Sequence, residues 1–264
     1  LSIYSSSTLP LLAVISVEEI YGIFQAYQKQ GLMSLRPSYI LLLNSILALA
    51  TNIQQQILKG HLKGFHAADL QDHQMLRDLE DTFISNSLYY YLKVSVIGDG
   101  ILSLQGILSL ITYNDFSGAF HNSFMMVSSA IRLAQDLGLH SEVTFEGLSK
   151  EEAQKRRKVW WLCLFFDQRL AVVLGRPPVV AEYDMTTRFP EANKKLKLLD
   201  QVTLGSSTTA TDYDEDFAQE MFNIVLRSEG FVTLSAHYIN KLSKMTGRIY
   251  MQLYSASIIN GSVE

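Results

Sequence analysis

The sequence predicts an all-α fold, a multi-helix array of antiparallel helices around an apolar core that can include an internal cavity. Apolar residues recur at helical spacing along most of the 264 residues, and no series of alternating strand segments occurs. Hydrophobic residues make up 48% of the chain, which is enough for a sizeable core. Pro is scarce, with 5 residues, and aromatic residues reach 11%, which argues against a disordered chain.

Helices are expected at about residues 17–30, 37–58, 72–96, 101–113, 116–137, 149–174, 217–227 and 231–258. Pro37 suits the first turn of the second helix because the first helical N–H groups have no partner within the helix. Gly98 and Gly100 break the pattern before the fourth helix. Asp99, between them, is expected to cap that helix.

Three end signals define the helices in the middle of the chain. Gly138 is placed to end a helix in the left-handed conformation, with Leu139 folded back as in a Schellman motif. Ser149 and Glu152 have the spacing of a capping box. Residues 175–178 read Gly-Arg-Pro-Pro, and the prolines prevent the helix from continuing.

Residues 1–264 are predicted to form a single all-helical domain, interrupted by a mobile linker. The linker covers about residues 202–216, where a Gly-Ser-Ser-Thr-Thr run precedes an acidic cluster. Such polar, turn-forming composition is typical of loops.

Charge and cysteine content narrow the classes of function. The net charge of -4 does not favour direct binding to nucleic acid. Cys163 is the only cysteine, which rules out a disulfide framework and a thiolate zinc site. The spacing of His61, His66 and His73 matches no familiar metal site, so no metal is predicted. The apolar stretch at 40–57 contains several polar residues, which indicates a buried core helix and no membrane span.

Four motifs occur in a fixed order between residues 130 and 178. Residues 130–140 read Ala-Ile-Arg-Leu-Ala-Gln-Asp-Leu-Gly-Leu-His, and 156–161 read Arg-Arg-Lys-Val-Trp-Trp. Asp-Gln-Arg at 167–169 and Leu-Gly-Arg-Pro at 174–177 follow. This order resembles the middle homology region of fungal zinc binuclear cluster transcription factors, and residues 245–255 resemble a later helix of that family. The residues that carry the resemblance, expected to be structural, are Arg132, Gly138, His140, Arg157, Trp160, Trp161, Asp167, Gly175, Arg176 and Pro177.

The resemblance implies a nuclear transcription regulator that is not an enzyme. Its contact with DNA would run only through a separate N-terminal zinc-cluster module, whose six cysteines this chain lacks. The middle region would restrain activation until a small-molecule effector, or a coactivator or corepressor protein, relieves the restraint. No catalytic residue and no required cofactor are implied, and a homodimer is compatible with this interpretation.

Five residues are candidates for a ligand pocket or a phosphate contact: Gly98, Gly100, Tyr113, Trp161 and Arg176. The first two belong to a partial dinucleotide fingerprint, which leaves a nicotinamide dinucleotide as a candidate ligand and a redox sensor or enzyme as an alternative function. The third glycine of that fingerprint is replaced by Ser103. A further alternative is a dimerisation or partner-binding module that takes no ligand.

Side-chain pairs are also expected around the Arg-Arg-x-x-Trp-Trp motif. The guanidinium groups of Arg156 and Arg157 are expected to lie over the indoles four residues later. Asp167 is expected to pair with Arg176 or Arg157 and so to hold the Gly-Arg-Pro turn against the helix.

Overall fold

The structure, a computed structural model, describes residues 14–31, 35–58, 73–192, 194–204 and 215–255. These ranges contain eight α-helices and no β-strand, which confirms the all-α prediction. The helices are α1 (Val17–Gln30), α2 (Pro37–Leu58), α3 (His73–Val96), α4 (Ile101–Ser117), α5 (Ser123–Asp136), α6 (Lys150–Leu174), α7 (Lys194–Leu204) and α8 (Glu215–Leu253).

Local sequence explains several helix ends. A full capping box starts α1, where Ser16 accepts from the backbone N–H of Glu19 and the Glu19 carboxylate accepts from the backbone N–H of Ser16. Gly138 follows α5 with φ of 72°, and the N–H of Leu139 donates to the carbonyl of Ala134 at 2.9 Å, as the predicted Schellman motif requires.

At the start of α6, Ser149 accepts from the N–H of Glu152, as the predicted capping box requires. The side chain of Glu152, however, pairs with Arg156 at 2.9 Å, one turn further on.

Three expectations about the elements are wrong. The helix predicted at 116–137 is divided, because Gly118 adopts a left-handed conformation after α4 and a short 3-10 turn precedes α5. The helices predicted at 217–227 and 231–258 are one continuous helix, α8. Asp99 does not cap α4; it accepts from Ser38 Oγ and Ser103 Oγ.

Both ends of the predicted linker, at residues 202–204 and 215–216, are helical. The residues between them, 205–214, lie outside the described part of the chain.

The main core is centred on α4, which packs against α2, α5 and α6, and α3 packs mainly on α2. α2 is long and apolar enough to span a membrane by length and composition, but most of its surface is buried in the fold, as in a core helix of a globular domain. A smaller apolar cluster joins α7 to α8 through Leu196, Leu199, Val225 and Leu234. α8 also packs along α6, so that a second layer covers one side of the main core.

The turn at Gly138 provides a direct test of the α5–α6 connection. Gly138→Ala should lower the free energy of unfolding by about 1–2 kcal/mol or more, because left-handed backbone disfavours a Cβ and the added Cβ would lie 2.8 Å from Thr144 Cγ2. The matched control is Gly22→Ala in α1, where a Cβ meets no atom within 4 Å and helix propensity should raise stability by up to about 1 kcal/mol. Urea denaturation measures both, and equal effects of the two substitutions would contradict the assigned turn.

Candidate functional site

The chain leaves α6 through a sharp reversal and runs back along that helix. Gly175 ends α6 in the left-handed conformation, with φ of 62°, and the N–H of Arg176 donates to the carbonyl of Ala171 at 3.0 Å. Pro177 and Pro178 then prevent further helix. We call residues 176–190 the strap.

The carboxylate of Asp167 holds the first part of the strap. It is buried and accepts from the backbone N–H groups of Val179, at 3.0 Å, and Val180, at 3.2 Å. The expected ion pair with Arg176 or Arg157 is therefore wrong: the strap supplies backbone donors to Asp167. Burial raises the pKa of Asp167 to about 6, although the two backbone N–H groups oppose the rise.

The second part of the strap is bound to the turn that follows α5. The N–H of Thr186 donates to the carbonyl of His140 at 2.9 Å, and Thr187 Oγ1 donates to the carbonyl of Leu139 at 2.5 Å. The N–H of Arg188 donates to the Glu142 carboxylate at 2.9 Å. His140 thus acts through its backbone, while its ring lies 6.2 Å from the ring of Trp160.

Trp161 and Arg157 fasten the end of the strap to α6. Trp161 Nε1 donates to the carbonyl of Arg188 at 2.8 Å, and its indole stacks on Phe189 with ring centroids 4.1 Å apart. Arg157 forms an ion pair with Glu142, which also accepts from the strap. Burial is the largest single effect on the pKa of Glu142 and raises it, but the hydrogen bonds from Arg157 and from the Arg188 backbone, with the nearby positive charges, together outweigh burial and lower this pKa.

The predicted stacking of Arg156 and Arg157 on the indoles is wrong. The ion pair of Arg157 with Glu142 directs its guanidinium toward Phe145, at 5.7 Å from the ring centroid, and Arg156 pairs with Glu152. A guanidinium gains more from a partly buried carboxylate than from an aromatic face.

α6, the strap and α8 enclose a cleft of about 280 Å³. This volume is just below the roughly 300–1,000 Å³ that small-molecule sites occupy, so the cleft suits a small ligand. Its walls are mostly apolar, with Trp161 and Leu164 from α6, Val180 and Met185 from the strap, and Met251 from α8. The chain thus has an apolar cleft at the contact between its two helical layers.

Ion pairs at the rim join the strap to α8. Glu182 pairs with Lys244 at 2.7 Å and with Arg248 at 3.5 Å. The hydrogen bond from Lys244, followed by that from Arg248, lowers the pKa of Glu182. All three side chains are substantially exposed, so these pairs stabilise the contact only weakly.

Of the five candidate pocket residues, the structure places only Trp161 in this cleft. Gly98 and Gly100 lie between α3 and α4, as the predicted break between two helices requires, and a helix, not a strand, precedes them. The nicotinamide dinucleotide stays a prediction. Tyr113 Oη donates to Glu80 at 2.8 Å. The guanidinium of Arg176 lies over Phe124, at 4.7 Å from the ring centroid. The role of Trp161 in ligand binding stays a prediction.

Three residues of the site were missed in the sequence. Gln168 lies inside the Asp-Gln-Arg motif and lines the cleft, so the motif itself contained a signal for it. Glu142 and Glu182 lie in irregular segments, and no local pattern indicates that one would fasten the strap and the other would join it to α8.

A second, larger cleft of about 610 Å³ lies beside the start of α6 and is more polar. Two of its lysines are already engaged, Lys150 with Glu191 and Lys155 with Glu19. These two lysines therefore have carboxylate partners within the protein.

No group of three His, Cys, Asp or Glu side chains in the described ranges is placed to hold a metal ion. His61 and His66 lie outside those ranges. Burial raises the pKa of the Cys163 thiol well above its usual range, which leaves the thiol protonated and unreactive.

Comparisons with known proteins identify the class of the domain. The family model described as "Fungal specific transcription factor domain" matches residues 1–260. Halotolerance protein 9 of Saccharomyces cerevisiae is 31% identical over 205 residues, which cover 72% of this chain and 20% of that protein. Transcription factor TAC1 of Candida albicans is 36% identical over 115 residues, which cover 43% of this chain and 12% of that protein. No solved structure matches.

The chain belongs to the fungal-specific transcription factor domain family, the middle regulatory domain of fungal zinc-cluster regulators. It spans about a fifth or less of the length of these relatives. The resemblance drawn from the four motifs is confirmed.

The pH dependence of stability tests the burial of Asp167. Because the folded chain binds the Asp167 proton more tightly than the unfolded chain, the resulting stability is fully present below the usual pKa near 4 and is lost as pH rises through about 6. Asp167→Asn has no such titration. Between pH 4 and 7 the wild type should therefore lose about 2 kcal/mol of unfolding free energy relative to this variant. Urea denaturation at intermediate pH values measures the difference, and parallel pH profiles would contradict the buried carboxylate.

Proposed function

We propose that this domain is the effector-sensing part of a transcription regulator. A small apolar molecule binds in the cleft between α6, the strap and α8, and the bound state holds α8 differently from the free state. That difference alters the exposure of an activation region elsewhere in the longer protein. DNA is contacted through a separate zinc-cluster module, and the protein acts in the nucleus.

The apolar cleft carries this proposal. Apolar clefts with a few polar groups at the contact of two structural layers are common small-molecule sites. Two residues of the motifs that carry the family resemblance support one wall of this cleft, because Asp167 and Trp161 fix the strap on α6. An effector that occupies the cleft touches both the strap and α8 at once.

The ion pairs at the rim of the cleft are weak enough for α8 to change its position when a ligand binds. The exposed pairs of Glu182 with Lys244 and Arg248 each contribute at most about 1 kcal/mol, so a ligand can displace α8 at the rim without breaking a buried ion pair. A preference of about 1.4 kcal/mol for one arrangement changes the ratio of the two populations tenfold.

Catalysis is not part of the proposed function. The relatives are transcription regulators, and the cleft combines apolar walls with an ion-paired rim. The buried Cys163 thiol is held in its unreactive protonated form. No cofactor is required for the switch described here.

Dimerisation or partner binding is the second candidate function. Leu92, Val96 and Ile97 form an apolar patch at the end of α3, with exposed fractions of 65%, 81% and 81%. Solvent-exposed apolar patches of this kind are typical of protein contacts. If the patch joins two copies, Val96→Lys should convert a dimer to a monomer in sedimentation velocity, and a wild-type monomer would contradict this candidate.

A reporter experiment tests the sensing function. The chain is placed between a heterologous DNA-binding module and an activation segment in yeast, and compounds that raise the melting temperature of the purified chain are added. Reporter output should change with these compounds, and Met251→Trp should abolish both effects by filling the cleft.

Met245→Trp is the matched control, because Met245 lies on the same helix with 54% of its surface exposed and outside the cleft. A reporter response that persists in Met251→Trp, or stabilising compounds that leave the reporter unchanged, would contradict the proposed function.

A further inference from the structure

One buried amide on the α6 wall of the cleft has an unused acceptor. The side chain of Gln168 is 8% exposed, and its Nε2 donates to the carbonyl of Val180 at 3.2 Å. Its Oε1 has no hydrogen-bond partner among the residues that the structure describes. Exchanging the two amide atoms would place Oε1 against the carbonyl of Val180, so the strap fixes which atom is unpaired.

Gly247 of α8 lies directly opposite this oxygen. A Cβ at position 247 would be 2.7 Å from Gln168 Oε1. Glycine in a helix interior and a buried acceptor without a donor both disfavour the folded state. These two unfavourable features face each other across one contact, and both residues line the cleft.

The groups around this acceptor favour an uncharged ligand. The walls beside it are apolar, from Leu164, Met185 and Met251. The cations Lys244 and Arg248 at the rim are paired with Glu182, so an anionic ligand would have to displace that carboxylate. An uncharged molecule with an apolar body fits these walls without that cost.

We propose that the cleft selects uncharged, largely apolar molecules that carry an N–H or O–H donor, and that this donor binds Gln168 Oε1. The inference rests on the proposed function and names the class of its effector. Because Gly247 covers the oxygen, the donor reaches it when α8 moves away from α6 at that point. The hydrogen bond therefore forms in only one of the two arrangements, which gives the ligand the differential affinity that a switch requires.

A matched pair of probes tests this selectivity. 2-Naphthol carries an O–H donor, whereas 2-methoxynaphthalene has nearly the same shape and no donor. By isothermal titration calorimetry, the chain should bind 2-naphthol about tenfold more tightly than 2-methoxynaphthalene, as a hydrogen bond to an otherwise unpaired buried acceptor implies. In Gln168→Met, which keeps the length of the side chain and removes the acceptor, the two affinities should become equal.

Gly247→Ala is the second variant and keeps the test decisive if Gln168→Met does not fold. Its methyl group would lie 2.7 Å from Oε1 while α8 packs on α6, so it should favour the arrangement in which α8 has moved away and increase the preference for 2-naphthol while retaining Gln168. Met245→Trp, on the exposed face of α8, should leave the preference unchanged.

The outcomes separate this inference from the function on which it rests. Equal affinities in the wild type, with both abolished by Met251→Trp, would overturn donor selectivity and leave the effector cleft standing. A preference that survives in Gln168→Met, or one that is lost in Gly247→Ala, would also overturn it. If neither probe binds, or if Met251→Trp binds both as the wild type does, the cleft is not the ligand site and both proposals fail.

Discussion

The carboxylate of Asp167 lies in the protein interior, where an unpaired charge would be strongly disfavoured. Its hydrogen bonds to the backbone of Val179 and Val180 compensate part of that cost, and they can form only if the chain reverses directly after α6. The reversal at Gly175 and the strap are therefore coupled to one buried group. Without this contact, the first part of the strap would lose two backbone hydrogen bonds to α6, and one wall of the cleft would be weakened.

The family motifs have a common structural explanation in this arrangement. Arg157 forms an ion pair with Glu142, and the Glu142 carboxylate accepts a hydrogen bond from the backbone of the strap. Trp161 donates a hydrogen bond to the strap through its indole N–H. His140 provides a backbone carbonyl. These residues are far apart in the sequence, but each fixes part of one irregular segment. Such a segment lacks a regular hydrogen-bond ladder, so side chains and turns must supply its partners.

Much of the fold could be predicted from the sequence, because local signals set most helix ends. The bounds of α1 and α2 follow from apolar periodicity and from Pro37, and the turn at Gly138 follows from its position after a periodic run. The continuity of α8 could not be predicted: Gly230 suggests a break, and packing on α6 and α7 outweighs that local preference.

The site was less predictable than the fold. The sequence indicated that Asp167 needs a partner, and the nearby arginines were the predicted partners. Its actual partners are the backbone N–H groups of Val179 and Val180, which no side-chain pattern reveals. Tyr113 and Arg176 were plausible pocket residues by composition, yet which side chains face a cleft depends on how distant helices pack. Within the four central motifs, only Trp161 and Gln168 combine a sequence signal with a place in the cleft.

The hydrogen-exchange rates of the backbone amides in the strap test most directly whether Asp167 fixes the strap on α6. If Asp167 fixes the strap on α6, the amides of Val179 and Val180 should exchange slowly, with protection comparable to that of core amides in α6. Exchange of these two amides at the rate of an unstructured peptide, while α6 itself stays protected, would show that the strap is not held and would contradict the account.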